Sequence, residues 1–320
     1  MMPSMELPIA RYRFTARWQD AVRLPQYAGS LLRGQFGAAL RHMACMTRQS
    51  RCADCPLQST CPYTQIFEAP PPPAHALQKF SAIPNAYVIE PPPLGARDYA
   101  AGEDLVFHMV LMGAAREQLA LVLATWQRAL ARGLTRQRAP AMLTQVDWLD
   151  TGGQPYAVWT DEEPVLQAHP AQLAVPPAPA NLGALTLHIH TPLRLQRQGK
   201  ALGPAQLGAR TLLAALVRRA ALVLEFHAGQ THWGEQVPHI AALAAQVQDV
   251  RDALRWFDWK RYSSRQQQEM TLGGVLGRWQ LATDGDTLAQ LWPWLWLGQW
   301  LHVGKNATMG MGAYTLEEPS

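Results

Sequence analysis

Residues 302–312 read His-Val-Gly-Lys-Asn-Ala-Thr-Met-Gly-Met-Gly, and they combine three glycines and one lysine with no acidic residue. They follow a tryptophan-rich apolar run and precede a short strand-like ending at 313–316. Glycines at this density allow positive φ angles and let a ligand approach the main chain closely. Backbone N–H groups beside a lysine are typical of a phosphate-binding loop, and a flexible turn is the alternative interpretation.

The spacing of this stretch differs from that of the nucleotide-binding G-x-x-x-x-G-K-[ST] loop. Lys305 follows the first glycine, and no serine or threonine comes directly after the lysine. The stretch also does not open a helix after a strand. A polymeric phosphate ligand is therefore favoured over a mononucleotide.

The composition is that of a globular protein with a substantial core. Of the 320 residues, 48% are apolar and 16% are charged, and the formal net charge of +4 permits an anionic partner without requiring one. Positive charge is concentrated in the second half of the chain. Six basic residues and no carboxylate lie between Leu193 and Arg219, namely Arg194, Arg197, Lys200, Arg210, Arg218 and Arg219.

The N-terminus lacks the apolar core that follows a basic start in a signal peptide. The run 288–303 is strongly apolar, but Pro293, Gln299 and His302 interrupt it and it is shorter than the roughly 20 residues that span a bilayer. We therefore expect a cytoplasmic protein without a membrane partner, whose cysteines are reduced.

All four cysteines fall in one short segment: Cys45, Cys52, Cys55 and Cys61. A C-x2-C pair with two further cysteines close by can bring four thiolates to one metal ion. Structural zinc is the first candidate, an iron–sulfur cluster is the second, and small buried side chains are the third. A metal here would stabilise an insertion, residues 45–63, that is too short to build its own core.

Periodicity predicts the same order of elements in each half of the chain: strand, helix, strand, strand, helix, strand. In the first half the predicted segments are 11–18, a helix after Pro25, 86–89, 104–111, 116–132 and 141–149. In the second half they are 185–190, helices at 205–226 and 240–254, strands at 256–262 and 274–281, a helix at 288–301 and a strand at 313–316.

This order is the split βαβ pattern of a ferredoxin-like domain. The predicted fold is α+β, with two tandem ferredoxin-like (RRM-like) domains and a cysteine-rich insertion in the first. The domains span 1–150 and 184–320, and a linker rich in proline joins them over 151–183.

Three segments resemble the CRISPR repeat-processing endoribonucleases of the RAMP (repeat-associated mysterious protein) superfamily. The first runs from Leu32-Arg33-Gly34 through Cys61-Pro62-Tyr63 to Phe67-Glu68. The second is Arg261-Tyr262-Ser263-Ser264-Arg265-Gln266, with glycines at 273, 274 and 277. The third is Trp300-Leu301-His302-Val303-Gly304-Lys305 through Gly310-Met311-Gly312.

The resemblance implies binding of CRISPR repeat RNA and cleavage within each repeat to release guide RNAs. It further implies metal-independent attack of a 2′-hydroxyl on the adjacent phosphate, without a catalytic cofactor, and retention of the product beside CRISPR effector subunits. The alternative is a non-catalytic subunit that binds guide RNA within an effector complex.

For catalysis the resemblance points to a histidine, whose pKa suits acid–base chemistry near neutral pH. His42, near the end of the first helix, matches the family in location, and His302 beside the glycine-rich stretch is the second candidate. Tyr27 and Arg33 lie near His42 in the sequence as supporting groups.

RNA binding is expected at two groups of residues besides Arg33. One group combines cations for the phosphates, a ring for base stacking and a hydroxyl: Lys260, Arg261, Tyr262, Ser264 and Arg265. The other is the glycine-rich stretch, with Gly304, Lys305, Gly310 and Gly312. The glycines at 273, 274 and 277 are expected to leave room for the ligand, and a solvated basic face is the alternative.

Overall fold

A computed structural model describes residues 6–70, 83–180, 182–263 and 268–317. The chain divides into two compact units. The N-terminal unit comprises residues 6–174 and 226–229, and the C-terminal unit comprises 1–5, 175–225 and 230–320. Helices and antiparallel sheets occur in both units, which confirms the predicted mixture of helix and strand.

The N-terminal unit begins with a long strand and alternates strands with helices. Its strands are β1 (Glu6–Leu7), β2 (Ile9–Trp18), β3 (Val22–Leu24), β4 (Tyr87–Glu90), β5 (Arg97–Tyr99), β6 (Asp104–Met112), β7 (Ala141–Leu149), β8 (Pro155–Thr160) and β9 (Leu173–Ala174). Its helices are α1 (Gly29–Ala44), α2 (Pro62–Ile66), α3 (Ala114–Glu117) and α4 (Leu119–Ala131).

Within the described ranges this unit contains a five-stranded antiparallel sheet in the order β4-β6-β2-β7-β8. Side chains alternate along β2, so that Tyr12, Phe14 and Ala16 are fully buried. The intervening Arg11 and Arg13 lie on the opposite face of the sheet and remain partly exposed.

Helices α1 and α4 cover the apolar face of this sheet. The Trp126 ring of α4 lies 4.5 Å from Phe107 of β6 and 5.0 Å from Phe36 of α1, measured between ring centroids. Gly37 of α1 is required by this packing, because a Cβ there would lie 2.2 Å from the Phe67 ring. Aromatic rings and one glycine thus fix α1 closely on the core.

The C-terminal unit repeats the alternation of strands and helices. Its strands are β10 (Ala184–Leu193), β11 (Gln196–Arg197), β12 (Lys200–Ala201), β13 (Gln248–Val250), β14 (Leu254–Ser263), β15 (Gln268–Ala282) and β16 (Tyr314–Glu317). Its helices are α5 (Ala209–Ala228, whose last residues count with the N-terminal unit), α6 (Val237–Leu243) and α7 (Gly285–Leu301).

In the described part of this unit, β13, β15, β10 and β16 form a sheet in that order, and β14 also pairs with β15. Helix α7 begins after Asp284, whose carboxylate accepts a hydrogen bond from the Thr287 amide at 2.8 Å. Beyond its first two turns it is predominantly apolar, and Trp294, Leu295 and Leu301 are buried. Such a helix belongs in a protein core.

The predicted helix at 240–254 is shorter in the structure. Helix α6 ends at Leu243, and Gln248–Val250 forms a strand that pairs with Gln280–Ala282 of β15. The Asp249 carboxylate also accepts hydrogen bonds from the amide of Ala209 and the indole of Trp279, each at 3.0 Å. These contacts with distant residues override the local helical periodicity.

Part of the proline-rich stretch 151–183 is also ordered into strands. Pro155–Thr160 pairs with β7 as the edge of the N-terminal sheet, and Leu173–Ala174 pairs with β1. The division between the two units falls after Ala174.

Candidate nucleic-acid interface

The glycine-rich stretch 302–312 is a tightly folded loop. Helix α7 ends at Leu301, and five residues of the loop then adopt positive φ angles: His302 (56°), Gly304 (91°), Asn306 (64°), Gly310 (86°) and Gly312 (75°). A 3₁₀ turn at Ala307–Met309 lies between them. The loop therefore needs its glycines for its own conformation.

Backbone hydrogen bonds attach this loop to the end of β10. The Lys305 amide donates to the carbonyl of Arg194 at 2.9 Å, and the Gly312 amide donates to the carbonyl of Pro192 at 3.2 Å. The hydroxyl of Thr191 donates to the Gly310 carbonyl at 2.6 Å and accepts from Ala313 at 2.8 Å. The amides of Lys305, Gly312 and Ala313 thus donate to acceptors inside the protein. The sequence, in contrast, suggests free N–H groups that could bind a phosphate.

Steric contacts also show that Gly304 and Gly312 are needed for the conformation of the loop. A Cβ at Gly304 would lie 2.6 Å from the carbonyl oxygen of Arg194, and one at Gly312 would lie 1.9 Å from that of Val303. Both distances are shorter than any normal contact. The Lys305 side chain of the loop is exposed and accessible to a ligand, and its backbone is bonded to Arg194.

The glycines in the middle of β15 are also explained by contacts inside the protein. A Cβ at Gly273 would strike the side chains of Trp256 and Asp258, and one at Gly274 would strike the backbone at Pro192 and Leu193. A Cβ at Gly277 would lie 2.1 Å from the carbonyl oxygen of Ala253. The expectation that these glycines leave room for a ligand was therefore wrong.

The basic cluster on the β14–β15 hairpin is described only in part. Lys260 is exposed on β14. The structure gives only the backbone of Arg261 and Tyr262, in strand conformation, and Ser264 and Arg265 lie outside the described residues. Arg194 contributes a further cation to this unit, and its guanidinium donates to the Gly273 carbonyl at 2.8 Å.

His302 and Tyr27, two of the predicted catalytic residues, are buried. His302 has no exposed surface, and Tyr27 has 3% of its surface exposed. Burial raises the pKa of the Tyr27 hydroxyl well above its ordinary value. A side chain in either position does not reach an RNA on the protein surface.

His42, in contrast, is exposed in the last turn of α1. Gly34, Ala38 and His42 follow one another at intervals of four residues, and all three are exposed. Nothing lies within 4 Å of a Cβ built on Gly34. The small residues leave the helix surface beside the imidazole open.

Two arginines of α1 are held by contacts within the N-terminal unit. The Arg33 Nε donates to the Tyr87 hydroxyl at 3.1 Å, and its guanidinium lies 4.7 Å from the centroid of the Phe67 ring. The Arg41 guanidinium donates to the carbonyls of Gln49 and Ser50, at 2.6 and 2.9 Å. Arg41 thereby ties the last turn of α1 to the cysteine segment.

The four cysteines are all partly buried, none forms a disulfide, and together they line a single cavity of about 200 Å³. Among the described residues, no three His, Cys, Asp or Glu side chains have the arrangement of a formed metal site. Burial and the nearby Glu68 raise the pKa of the Cys52 thiol.

A polar row on the open face of the N-terminal sheet was not predicted. Glu90, His108, Arg13 and Asp147 are register partners on β4, β6, β2 and β7. The Arg13 guanidinium pairs with the nearly buried Asp147 at 3.0 Å, and Arg11 pairs with Glu90 at 2.9 Å. The recurrence of arginine at 11, 13 and 17 was the sequence signal for this face.

None of the helices in the described ranges combines the length and apolarity needed to cross a bilayer.

Comparisons with known proteins agree with this architecture. A family model described as an N-terminal domain matches residues 7–171, and a model described as CRISPR-associated endoribonuclease Cas6 matches residues 187–314. No curated protein sequence matches the chain significantly.

Solved structures match along nearly the whole chain. A Cas6 product complex matches with a TM-score of 0.59 at 14% identity, over 97% of this chain and 100% of that chain. Thermus thermophilus Cas6 gives a TM-score of 0.54 at 13% identity, over 98% and 100%. A partial Cas6-RT-Cas1–Cas2 complex gives 0.57 at 14%, over 99% of this chain and 47% of that chain.

The structural matches establish the shared fold, and the two family matches account for most of each half of the sequence. Residues 187–314 of this chain therefore match the Cas6 endoribonuclease family, and the chain as a whole shares the fold of the solved Cas6 structures.

Proposed function

We propose that this chain binds CRISPR repeat RNA and cleaves within each repeat, releasing guide RNAs. The match of residues 187–314 to the Cas6 endoribonuclease model supports this function. So does the likeness to a Cas6 product complex, in which an enzyme of the same fold is bound to its product. The Cas6-RT-Cas1–Cas2 complex supports CRISPR proteins as further partners.

We also propose that the chain folds as two tandem ferredoxin-like domains. In that fold the first and third strands lie side by side, and the second and fourth flank them. In the N-terminal sheet, β2 and β6 hold the inner positions, and β4 and β7 flank them. Residues 45–63 would then be an insertion in the first domain.

The C-terminal unit supports the assignment with the same order. Strands β10 and β15 are adjacent, β14 pairs with β15, and β16 pairs with β10. Helix α5 follows the first of these strands and α7 follows the third, as a ferredoxin-like domain requires.

The proposed reaction is a transesterification within the RNA that needs no metal ion. A base removes the proton of a 2′-hydroxyl, and the oxygen attacks the adjacent phosphorus. The bond from phosphorus to the 5′-oxygen breaks, and that oxygen takes up a proton. The products are a 2′,3′-cyclic phosphate and a 5′-hydroxyl, and the attacking group explains the requirement for RNA.

The exposure of His42 is the observation that carries the catalytic assignment. A neutral imidazole can accept the 2′-hydroxyl proton near neutral pH, and an imidazolium can protonate the leaving oxygen. Of the two candidate histidines, His42 alone is exposed, and small residues leave the helix surface beside it open.

Binding would depend on cations that remain accessible. Lys260 and Lys305 are exposed in the C-terminal unit and suit contacts with phosphate. Gly304, Gly310 and Gly312 would act by shaping the loop that carries Lys305, and Arg33 would act from the N-terminal unit. Arg261, Tyr262, Ser264 and Arg265 stay in the proposal as further RNA contacts.

Single-turnover cleavage of a repeat RNA, with EDTA present throughout, tests the proposal. The expected result is a defined cut that persists in EDTA and is lost in His42→Ala, while that variant still binds the RNA. Binding without cleavage by the unaltered chain would indicate the non-catalytic subunit instead. Cleavage that depends on an added divalent ion would contradict the proposed chemistry.

A further inference from the structure

The segment between α1 and α2 has no core of its own. Cys45 directly follows α1, Cys61 directly precedes α2, and the intervening residues contain only a 3₁₀ turn at Cys52–Asp54. Residues 45–62 are all described, and none of them is buried. Apart from Cys52 and Cys61, which pack against the hydrophobic core of the N-terminal unit, hydrophobic packing therefore contributes little to holding this segment in one conformation.

The residues that face inward in this segment are chiefly the cysteines. Of the sixteen residues 46–61, twelve are exposed, and the four partly buried ones are Cys52, Cys55, Gln58 and Cys61. Cys45, at the end of α1, is partly buried as well. All four thiols border the same cavity.

Local backbone geometry favours convergence of the thiols. The Cys55 amide donates to the Cys52 carbonyl at 3.1 Å, and the Gln58 amide donates to the Cys55 carbonyl at 3.1 Å. The first of these turns folds the C-x2-C pair back on itself. A C-x2-C pair folded in this way can present both thiolates to one metal ion.

We infer that the cavity bordered by Cys45, Cys52, Cys55 and Cys61 is a structural zinc site with four thiolate ligands. Four soft sulfur ligands favour tetrahedral Zn²⁺ and leave no open position for catalysis. The described thiols do not already have the arrangement of a formed site, so binding of the ion would draw them inward from the cavity wall and order the segment. The inference stands on the cysteine segment alone and not on RNA cleavage.

The position of the site gives it a second role. Cys45 lies three residues after His42, less than one helical turn away, and the Arg41 guanidinium already bonds the segment at Gln49 and Ser50. Ordering the segment would hold the last turn of α1 in place. Zinc would then position His42 without contacting the substrate.

Elemental analysis of the full chain, purified without chelator, is the first test. One zinc per chain is expected, with loss of most of it in Cys55→Ser and Cys61→Ser and full occupancy in the control Ser59→Ala, a change at an exposed position of the same segment. Iron with visible absorbance, no metal, or disulfides among the four cysteines would overturn the inference.

A second test uses the unaltered chain, so that misfolded variants do not decide the result. Trypsin can cut after Arg48 and Arg51, which are both exposed within the segment. Zinc removal by a mercurial, followed by mercurial removal with excess thiol, should speed these cuts at least about tenfold, and added zinc should restore protection. Equal rates with and without zinc would overturn the inference, whether or not the chain cleaves RNA.

Discussion

The backbone amide of Lys305 donates a hydrogen bond to the carbonyl oxygen of Arg194 at 2.9 Å. The guanidinium of the same arginine donates to the Gly273 carbonyl at 2.8 Å. Arg194 therefore joins the glycine-rich loop to β15 through both its backbone and its side chain. The loop presents the Lys305 ammonium from a backbone that is bonded to β10, and the amides of Lys305 and Gly312 already donate inside the protein.

Lys305→Ala should weaken binding to repeat RNA without altering the stability of the fold, because the ammonium is exposed and in the proposed function it would contact phosphate. The plot of log affinity against log salt concentration should lose about one unit of slope. Lys305→Arg keeps the charge and should retain most of the affinity. An unchanged salt slope in Lys305→Ala would remove this residue from the interface.

Gly312→Ala should destabilise the C-terminal unit, because the φ angle is 75° and the new Cβ would lie 1.9 Å from the Val303 carbonyl oxygen. The expected loss in the free energy of unfolding is about 1–3 kcal/mol or more, measured by denaturant titration. Gly183→Ala is the matched control, with no atom within 4 Å and an expected change within about 0.5 kcal/mol. Similar losses in both variants would contradict the steric explanation.

His42→Ala should lower the single-turnover cleavage rate by about 10²–10⁴-fold, as removal of a general acid or base does. RNA affinity should change little. His239→Ala is the control, since His239 is also exposed and lies on α6 of the C-terminal unit. Normal cleavage by His42→Ala would rule out this histidine as the catalytic group.

Stability should fall as the pH is lowered from about 7 to about 5, partly through His108. Burial lowers the pKa of this imidazole below its ordinary value of 6.5, and Arg11, Arg13, Glu90 and Asp147 lie nearby. The unfolded chain thus takes up a proton at a higher pH than the folded chain, so acid favours unfolding. Melting temperatures should show a weaker pH dependence in this window for His108→Gln, and an identical dependence would contradict the assignment.

The regular elements could be predicted from sequence wherever local pattern and final packing agree. Strand β7 has the predicted bounds, 141–149, because its alternating side chains pack one face on α4. The apolar pattern predicts a start for α7 at Leu288, whereas the helix begins at Gly285. The capping carboxylate of Asp284 was the overlooked signal.

The site was less predictable, because burial is decided by distant parts of the chain. His302 follows an apolar helix directly and is buried with it, while His42 is on the exposed side of its helix. From sequence alone, a glycine that faces a ligand cannot be distinguished from one that faces a neighbouring protein group. This applies to the glycines before β16 and to those in β15. Only the tertiary contacts at Gly273 and Gly312 distinguish these cases.

The chemistry of cleavage is tested most directly by a repeat RNA with one 2′-deoxy nucleotide at the cut site, incubated with the chain in EDTA. We predict that the all-ribose RNA is cut to a 2′,3′-cyclic phosphate and a 5′-hydroxyl, and that the substituted RNA stays intact at that position. Cleavage of the substituted RNA at the same bond, or a product with a 5′-phosphate, would contradict the proposed reaction.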